Sequence, residues 1–192
     1  ESELASRYPL TVRMRNLDGV LAKLAGAPNV ASLRGLEGNA AAEYFAALAE
    51  VVPESLHFGG RNRRPPRDPL NALLSLGYTL LHSEAVTALY GAGLDPFIGF
   101  MHALDFGRES LACDVVEPLR VDVDRFSLRL FKSGELRPED FSNTESGCML
   151  GKAGRSRYYQ AYEGLAESLR RKLAQSISDI SAVLDTLGRG NV

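Results

Sequence analysis

The segment 99–120 carries the residues of this chain that are best suited to chemistry. It contains one histidine, His102, followed twelve and fifteen residues later by the carboxylates Asp114 and Glu117. A neutral imidazole with one or two carboxylates is a ligand set that holds Mg²⁺ or Mn²⁺ and leaves positions open for water and phosphate. These residues are therefore a candidate active site. The alternative is a hydrogen-bonded core histidine beside two solvated carboxylates.

Two helices are predicted to position these side chains. The Asp-Pro pair at 95–96 is a strong helix start, which places His102 in the second turn of a helix. Ser110 predicts the start of the next helix, on which Asp114 and Glu117 are three residues apart and share a face. Pro118 follows at once, so this second helix should kink or end there.

Glu37 is a candidate third ligand from a distant part of the chain. It lies near the apolar side of an Ala-rich helix predicted over 30–52, with Ser32 as its cap. Gly35 and Gly38 flank Glu37 and weaken that helix, which indicates close approach of another backbone or a ligand. An ordinary surface glutamate is the alternative.

Arginines are concentrated in a predicted linker over 57–67, which Pro65 and Pro66 stiffen. The guanidinium group makes bidentate contacts with phosphate oxygens, so this linker, called the arginine loop, is a candidate DNA-binding loop. Local pairing with acids in a solvated turn is the alternative. The arginines are Arg61, Arg63, Arg64 and Arg67.

The longest regular helix is predicted over 69–90, and it begins at the proline of an Asp-Pro pair like the one at 95–96. Its leucine stripe indicates core. Asn71, Tyr78 and His82 lie around the same helix, and Tyr78 and His82, four residues apart, could face one site. Structural roles are the alternative for all three residues.

Composition limits the class of protein. The chain has 192 residues, 45% hydrophobic and 24% charged, with a formal net charge of −2, which argues against a globally basic nucleic-acid binder. Cys113 and Cys148 lie in contexts that predict burial, and no zinc-binding spacing is present. No apolar run approaches the roughly 18 residues of a membrane span. A reduced cytoplasmic location without membrane contact is expected.

An all-α fold of six to eight helices is predicted over one domain, 1–192. The remaining helices are expected at 11–25, from beyond Pro118 to a C-terminal glycine cap at Gly134, and at 155–175 and 177–187. The stretch 137–154 is predicted to be rich in loops. No strand is predicted anywhere.

Four stretches carry a resemblance to a known family. In order they read LRGLEGNAAAEYF, RNRRPPRDPLNALLSLGYTLL, GLDPFIGFMH and SLACDVVEPLR. They resemble the C-terminal helical domain of the CRISPR-associated spacer integrase, the nuclease and integrase subunit of the adaptation complex. The resemblance covers roughly residues 10–175, and four ordered motifs are far more specific than one.

The resemblance implies an assignment for each motif. Glu37, His102 and Glu117 would be the catalytic metal ligands for Mg²⁺ or Mn²⁺, with Asp114 as a nearby second acid. The arginine loop and the asparagine of the DPLNA motif would contact DNA. His82 stands where some relatives carry a tyrosine near the site. The DNA-binding set expected here is Arg61, Arg63, Arg64, Arg67, Asn71 and His82.

The resemblance also implies an activity and partners. The expected reaction is insertion of spacer DNA into a CRISPR array by 3′-hydroxyl transesterification, with DNA, a small adaptation subunit and, in the full-length form, a second copy as partners. Family members carry an N-terminal β-rich domain that this chain lacks, so a fragment of a longer protein is expected. Two alternatives are a nuclease that hydrolyses branched or single-stranded DNA and a non-enzymatic DNA-binding assembly module.

Overall fold

The computed structural model describes residues 10–189, and over that part of the chain it confirms the all-α fold class. Six α-helices and three short 3₁₀ turns account for most of the described residues. The helices are α1 (Thr11–Leu24), α2 (Val30–Val51), α3 (Pro69–Gly91), α4 (Ser110–Val116), α5 (Arg120–Lys132) and α6 (Lys152–Arg189). The 3₁₀ turns are Glu54–Leu56, Glu117–Leu119 and Pro138–Asp140.

Helix ends follow local chemistry in most places. Asp68 caps α3, because its side chain accepts a hydrogen bond from the Asn71 N–H at 2.8 Å. Asn29, and not Ser32, caps α2, since the Asn29 side chain accepts from the Ser32 N–H at 2.9 Å. Gly134 follows α5 with φ of +74°, as predicted for a glycine after a helix. Pro118 lies in the turn that ends α4, which is also as predicted.

The core is built around α3. Leu73, Leu81 and Leu89 of α3 have no exposed surface and pack into a cluster with α4, α5 and α6. A Cβ at Gly77 would collide with Val123 and with the Tyr158 hydroxyl, so only glycine lets α3 approach α5 and α6 this closely. The leucine stripe of the sequence is therefore core, as predicted.

The helical pair α1 and α2 lies at the edge of this core. α1 has no buried residue, and Leu48 is the only buried residue of α2. A second, smaller cluster joins the C-terminal end of α2 to the start of α3. Its buried members are Leu48, Val52, Leu56, Phe58, Leu70 and Leu74. The N-terminal half of α2, which carries Glu37, therefore has little apolar anchorage.

The predicted helix after Asp95 is wrong. Residues 95–109 form bends and turns, and the Asp95 carboxylate only accepts from the Phe97 N–H in a local turn. The amide N–H groups of Phe100, Met101 and His102 donate to the Asp114 carboxylate instead of to helical carbonyls. A helix is thus replaced by a loop wrapped around one buried carboxylate.

Two further predictions are corrected. The stretch 137–154 contains a small antiparallel hairpin, β1 (Phe141–Thr144) with β2 (Gly147–Leu150), where no strand was predicted. The Cys148 N–H donates to the Pro66 carbonyl at 2.7 Å, so tertiary contact with the arginine loop supports the hairpin. The helices expected at 155–175 and 177–187 are one continuous helix, α6.

Both cysteines are free; Cys148 is buried, whereas Cys113 is only half-buried, contrary to the prediction. Among the helices described over 10–189, none combines the length and apolar character that a membrane crossing requires. The last residues of the chain, 190–192, and the first nine lie outside the described part.

Candidate metal centre

The structure brings Glu37, His102 and Glu117 together. One ligand atom from each side chain lies within 4.8 Å of the other two, and all three residues are half-buried. Glu37 comes from α2, His102 from the loop 95–109, and Glu117 from the 3₁₀ turn after α4. Three segments far apart in sequence therefore meet at one point, where they form an imidazole and carboxylate donor set.

This donor set fits a hard divalent cation. Ligands at about 2.1 Å from one Mg²⁺ lie at most about 4.2 Å apart, so atoms within 4.8 Å of one another need only small side-chain movements to share an ion. Two carboxylates and one neutral imidazole also match the ligand preferences of Mn²⁺. Three protein ligands would leave coordination positions open.

Asp114 fixes the orientation of His102. Its side chain has no exposed surface, and its Oδ1 lies 2.6 Å from His102 Nδ1 and accepts the His102 backbone N–H at 3.0 Å. A carboxylate can only accept, so Nδ1 carries the proton, and in the neutral imidazole Nε2 then has the free lone pair. The imidazole is thus presented with Nε2 as the nitrogen available for a metal.

The structure does not bring Asp114 into the ligand group. The second oxygen, Oδ2, accepts the backbone N–H groups of Phe100 and Met101 at 2.6 and 3.0 Å. With four N–H donors on its two oxygens, the carboxylate is fully engaged behind the imidazole. The prediction that Asp114 and Glu117 present one shared face to the site is wrong, because only Glu117 lies in the ligand group.

Glycine makes this loop geometry available. A Cβ at Gly99 would lie 2.8 Å from Asp114 Oδ2 and from two atoms of Ser110. Side-chain carbons do not approach other atoms so closely, so residue 99 must be glycine for the loop to wrap the carboxylate. Gly35 and Gly38 differ, because no described atom lies within 4 Å of a Cβ at either position. The approach of another backbone predicted for them is therefore wrong, whereas the approach of a ligand stays a prediction.

A cavity of about 750 Å³ lies over the three candidate ligands and is called the metal cavity here. Charged side chains of both signs line it. Burial raises the pKa of the Glu117 carboxyl, Arg120 opposes the rise, and the neighbouring Glu37 carboxylate adds to it. Arg120 Nη2 also lies 2.9 Å from Glu117 Oε1. A bound cation would offset the repulsion between the Glu37 and Glu117 carboxylates in this half-buried site, which agrees with the donor set.

The predicted DNA-binding residues fall into two groups. Arg63, Arg64 and Arg67 are exposed. Asn71 has no exposed surface, so a direct contact with DNA stays a prediction that burial disfavours. Its Oδ1 accepts from Arg61 Nη1 at 2.7 Å and from the Asn62 N–H at 3.0 Å. Asn71 therefore holds the arginine loop in place from within.

A basic pocket of about 380 Å³ adjoins the metal cavity. His82 lines it with Tyr78, as predicted from their spacing, and His82 Nε2 lies 3.0 Å from Glu109 Oε2. The half-buried Arg61 also lines it, and its guanidinium lies over the Tyr78 ring. The pocket's arginines are Arg61, Arg63, Arg64 and Arg120. The pocket is therefore suited to anions.

The sequence predictions missed four polar or charged residues that line the metal cavity: Tyr44, Arg108, Arg120 and Asp124. Spacing alone could have indicated two of them. Tyr44 lies seven residues after Glu37, two turns along the same helix face, and Arg120 lies three residues after Glu117. Arg108 and Asp124 reach the cavity only through the tertiary fold, so no local signal identifies them.

Comparisons with known proteins agree on one family. The family model described as CRISPR associated protein Cas1 matches residues 2–164. A protein named CRISPR-associated endonuclease Cas1 1 from Thermodesulfovibrio yellowstonii is 49% identical over 144 residues, which are 74% of this chain and 45% of that protein. The chain spans about half the length of the curated relatives it matches.

Solved structures agree with the sequence matches. A partial Cas6-RT-Cas1–Cas2 complex aligns over 93% of this chain and 57% of its own, with a TM-score of 0.85 and 30% identity. A casposase bound to integration product aligns over 81% of this chain and 46% of its own, with a TM-score of 0.71 and 30% identity. From its sequence and its fold, this chain belongs to the CRISPR associated protein Cas1 family.

Proposed function

We propose that this chain is the catalytic part of a divalent-metal-dependent DNA integrase, which inserts spacer DNA into a CRISPR array. The convergence of Glu37, His102 and Glu117 carries the proposal, because their ligand atoms lie within 4.8 Å of one another. Membership of a family whose members are named CRISPR-associated endonucleases supports it.

Each residue of the site has a role in this proposal. Glu37, His102 Nε2 and Glu117 hold Mg²⁺ or Mn²⁺, which when bound supplies stabilisation for charge on a phosphodiester. Asp114 keeps the proton on His102 Nδ1. Arg63 lines both cavities and reaches phosphate oxygens beside the site. The DNA's own groups then react.

The proposed reaction conserves the number of phosphodiester bonds. The 3′-hydroxyl of the spacer precursor forms a new bond to phosphorus in a repeat strand, and the bond from that phosphorus to the repeat's 3′-oxygen breaks. The attacking hydroxyl releases its proton to solvent, and the leaving oxygen takes one up. Water in place of the 3′-hydroxyl would give hydrolysis.

Similar structures support the proposed partners. One neighbour is a casposase bound to integration product, and two are Cas1–Cas2 complexes. DNA and a small adaptation subunit are therefore the proposed partners. Exposed Arg63, Arg64 and Arg67 and the basic pocket are the proposed DNA contacts on this chain. Dimerisation of the full-length form stays a prediction.

Hydrolysis of branched or single-stranded DNA is the second candidate. The relatives' name, endonuclease, favours it, and the same three ligands would serve water as the nucleophile. The two candidates differ in their products. Hydrolysis leaves free 3′- and 5′-ends, whereas integration joins the donor covalently to the target.

A strand-joining assay tests the proposal. The full-length protein is incubated with a labelled 3′-hydroxyl duplex and a supercoiled target in Mg²⁺, Mn²⁺ or chelator. We expect covalent transfer of label in either metal, none in chelator, and none with Glu37→Gln or His102→Ala. Joining at the wild-type rate in either variant contradicts the site assignment. Target nicking without label transfer supports the nuclease candidate instead.

A further inference from the structure

Asp124 of α5 is a buried carboxylate that both tyrosines of the metal cavity contact. It is 2% exposed and lines that cavity. Its Oδ2 accepts from the Tyr44 hydroxyl at 2.8 Å, and its Oδ1 accepts from the Tyr78 hydroxyl. Burial raises the pKa of Asp124, and the two tyrosine hydrogen bonds oppose that rise. Both oxygens are thus used to hold side chains from two other helices.

Tyr44 connects Asp124 to the helix that carries Glu37. Tyr44 lies seven residues after Glu37 on α2, and seven residues are nearly two full helical turns, so both side chains leave the same face. The other interhelical side-chain hydrogen bonds of α2 described within 10–189 join Glu43 and Glu50 to α1. Over that range, the bond from Tyr44 to Asp124 is the one side-chain hydrogen bond that joins α2 to the helices α3–α6.

Tyr78 connects Asp124 to the segment that carries Glu117. The Arg120 guanidinium carbon lies 5.1 Å from the centroid of the Tyr78 ring, within cation–π range. Arg120 Nη2 lies 2.9 Å from Glu117 Oε1. Asp124 and Arg120 are one turn apart on α5, so Tyr78 spans that turn. Asp124 therefore links through one tyrosine to Glu37 and through the other to Glu117.

Helix geometry shows why this link matters. Full apolar burial in α2 is confined to Leu48 and the adjoining Val52 at its C-terminal end, and Tyr44 and Phe45 are only partly buried against the same cluster. Glu37 is eleven residues before Leu48, about 16 Å along the helix axis. A tilt of about 10° about Leu48 would move Glu37 by about 3 Å, more than a metal–ligand bond length. A second anchor closer to Glu37, such as the Tyr44 hydrogen bond to Asp124, would limit this movement.

We propose that Asp124 is a positioning residue for the metal centre, which through Tyr44 and Tyr78 sets Glu37 and Glu117 at the separation that one divalent cation requires. This inference rests on the proposed metal site. Two carboxylates of like charge repel each other before the cation binds, and the fixed tyrosine hydrogen bonds hold them together against that repulsion. Pre-organised ligands raise metal affinity because less ordering is left for the binding step.

Mn²⁺ titration of the purified chain tests the inference. Mn²⁺ binding is followed by electron paramagnetic resonance for Asp124→Asn, Tyr44→Phe and Tyr78→Phe, which keep side-chain volume while removing one hydrogen bond or charge. Tyr90→Phe is the matched control, because Tyr90 is 59% exposed on α3. We expect the dissociation constant to rise about 10- to 100-fold for Asp124→Asn, Tyr44→Phe and Tyr78→Phe, and to be unchanged for Tyr90→Phe.

Hydrogen exchange separates positioning from a general loss of structure. In Asp124→Asn and Tyr44→Phe, amides of the N-terminal half of α2 should exchange faster while those of α3 and α5 keep their protection. The double variant that combines Asp124→Asn with Tyr44→Phe should bind Mn²⁺ no more weakly than Asp124→Asn alone, because Tyr44 acts through Asp124. Should Asp124→Asn fail to fold, Tyr44→Phe decides the outcome.

Glu37→Gln distinguishes failure of this inference from failure of the metal site. If Glu37→Gln weakens Mn²⁺ binding while Tyr44→Phe and Asp124→Asn bind as the wild type does, the positioning role is overturned and the metal site stands. If Glu37→Gln also binds Mn²⁺ as tightly as the wild type, both the metal site and the positioning role are overturned.

Discussion

His102 Nδ1 lies 2.6 Å from Asp114 Oδ1, a contact that joins a candidate metal ligand to a carboxylate with no exposed surface. In Asp114→Asn, one of the two oxygens that now accept N–H groups becomes an NH₂ donor. We expect Mn²⁺ affinity to fall about 10- to 100-fold, because the imidazole loses its fixed orientation. We also expect a loss of about 2–4 kcal/mol of unfolding free energy, since buried N–H donors lose an acceptor.

Mn²⁺ titration and urea unfolding measure these two effects. Asp105→Asn is the matched control, because it makes the same substitution in the same loop at a side chain that is 67% exposed. Wild-type Mn²⁺ affinity in Asp114→Asn would contradict the orienting role of this carboxylate.

Gly99→Ala should damage the metal centre although it adds one methyl group. The new Cβ would lie 2.8 Å from Asp114 Oδ2, so the loop that carries His102 must shift. We expect a loss of about 1–3 kcal/mol of unfolding free energy, measured by urea denaturation, together with weaker Mn²⁺ binding.

Gly35→Ala is the control for Gly99→Ala. It lies inside α2 with no described atom within 4 Å of its Cβ position, so it should stabilise the chain by up to about 1 kcal/mol through helix propensity. Equal effects of the two substitutions would show that the space around Gly99 does not control the site.

Arg64 and Asn71 should affect DNA binding in different ways. Arg64→Ala removes an exposed cation of the basic pocket, so DNA affinity should fall and the slope of log K against log salt should decrease in magnitude by about 0.9, with stability unchanged. Arg171→Ala, at an exposed arginine of α6, is its control.

Asn71→Ala should lower DNA affinity only together with stability. Asn71 holds the arginine loop through hydrogen bonds with Arg61 and Asn62 and with the Gly60 carbonyl. Their loss should reduce the unfolding free energy by about 2–4 kcal/mol in urea denaturation. Unchanged stability with lost DNA binding would instead favour a direct DNA contact.

The pair Asp140 and Arg157 should make part of the stability depend on pH. The hydrogen bond from the Arg157 guanidinium holds the pKa of the Asp140 carboxyl below its ordinary value. A depressed folded-state pKa contributes stability that is present above the unfolded pKa, near 4, and is lost as pH falls through the folded pKa.

Urea unfolding of Asp140→Asn across pH measures this contribution. The variant should be less stable than the wild type at pH 6, and the difference should shrink below pH 4. Asp185→Asn, at an exposed position of α6, is the control. A difference that is constant from pH 6 to pH 3 would contradict the assigned pKa direction.

Two Asp-Pro pairs show how far local sequence determines this fold. Asp68 and Pro69 start a helix as predicted, because the Asp68 side chain accepts the Asn71 N–H three residues later. Asp95 and Pro96 carry the same local signal but start none, because Asp114 accepts the following amides. The competing acceptor is close in space and distant in sequence, so the sequence pattern did not indicate it.

The candidate site likewise contains residues that the sequence predicts and residues that only the tertiary fold identifies. The ligand set Glu37, His102 and Glu117 was predictable from residue type and motif order, and the structure brings these side chains together. The roles of Asp114 and Asp124 depend on how the folded chain buries them. Asp114 was a predicted ligand that lies behind the imidazole, and Asp124, which the predictions missed, lies in a cavity that only tertiary packing creates.

An anomalous difference map from crystals grown with Mn²⁺ tests the metal centre most directly. If the three side chains share one ion, the map shows one strong peak within about 2.3 Å of a Glu37 oxygen, of His102 Nε2 and of a Glu117 oxygen, with Asp114 still bonded to His102 Nδ1. A Mn²⁺ peak elsewhere, with these three side chains contacting no ion at saturating Mn²⁺, would contradict this shared metal site.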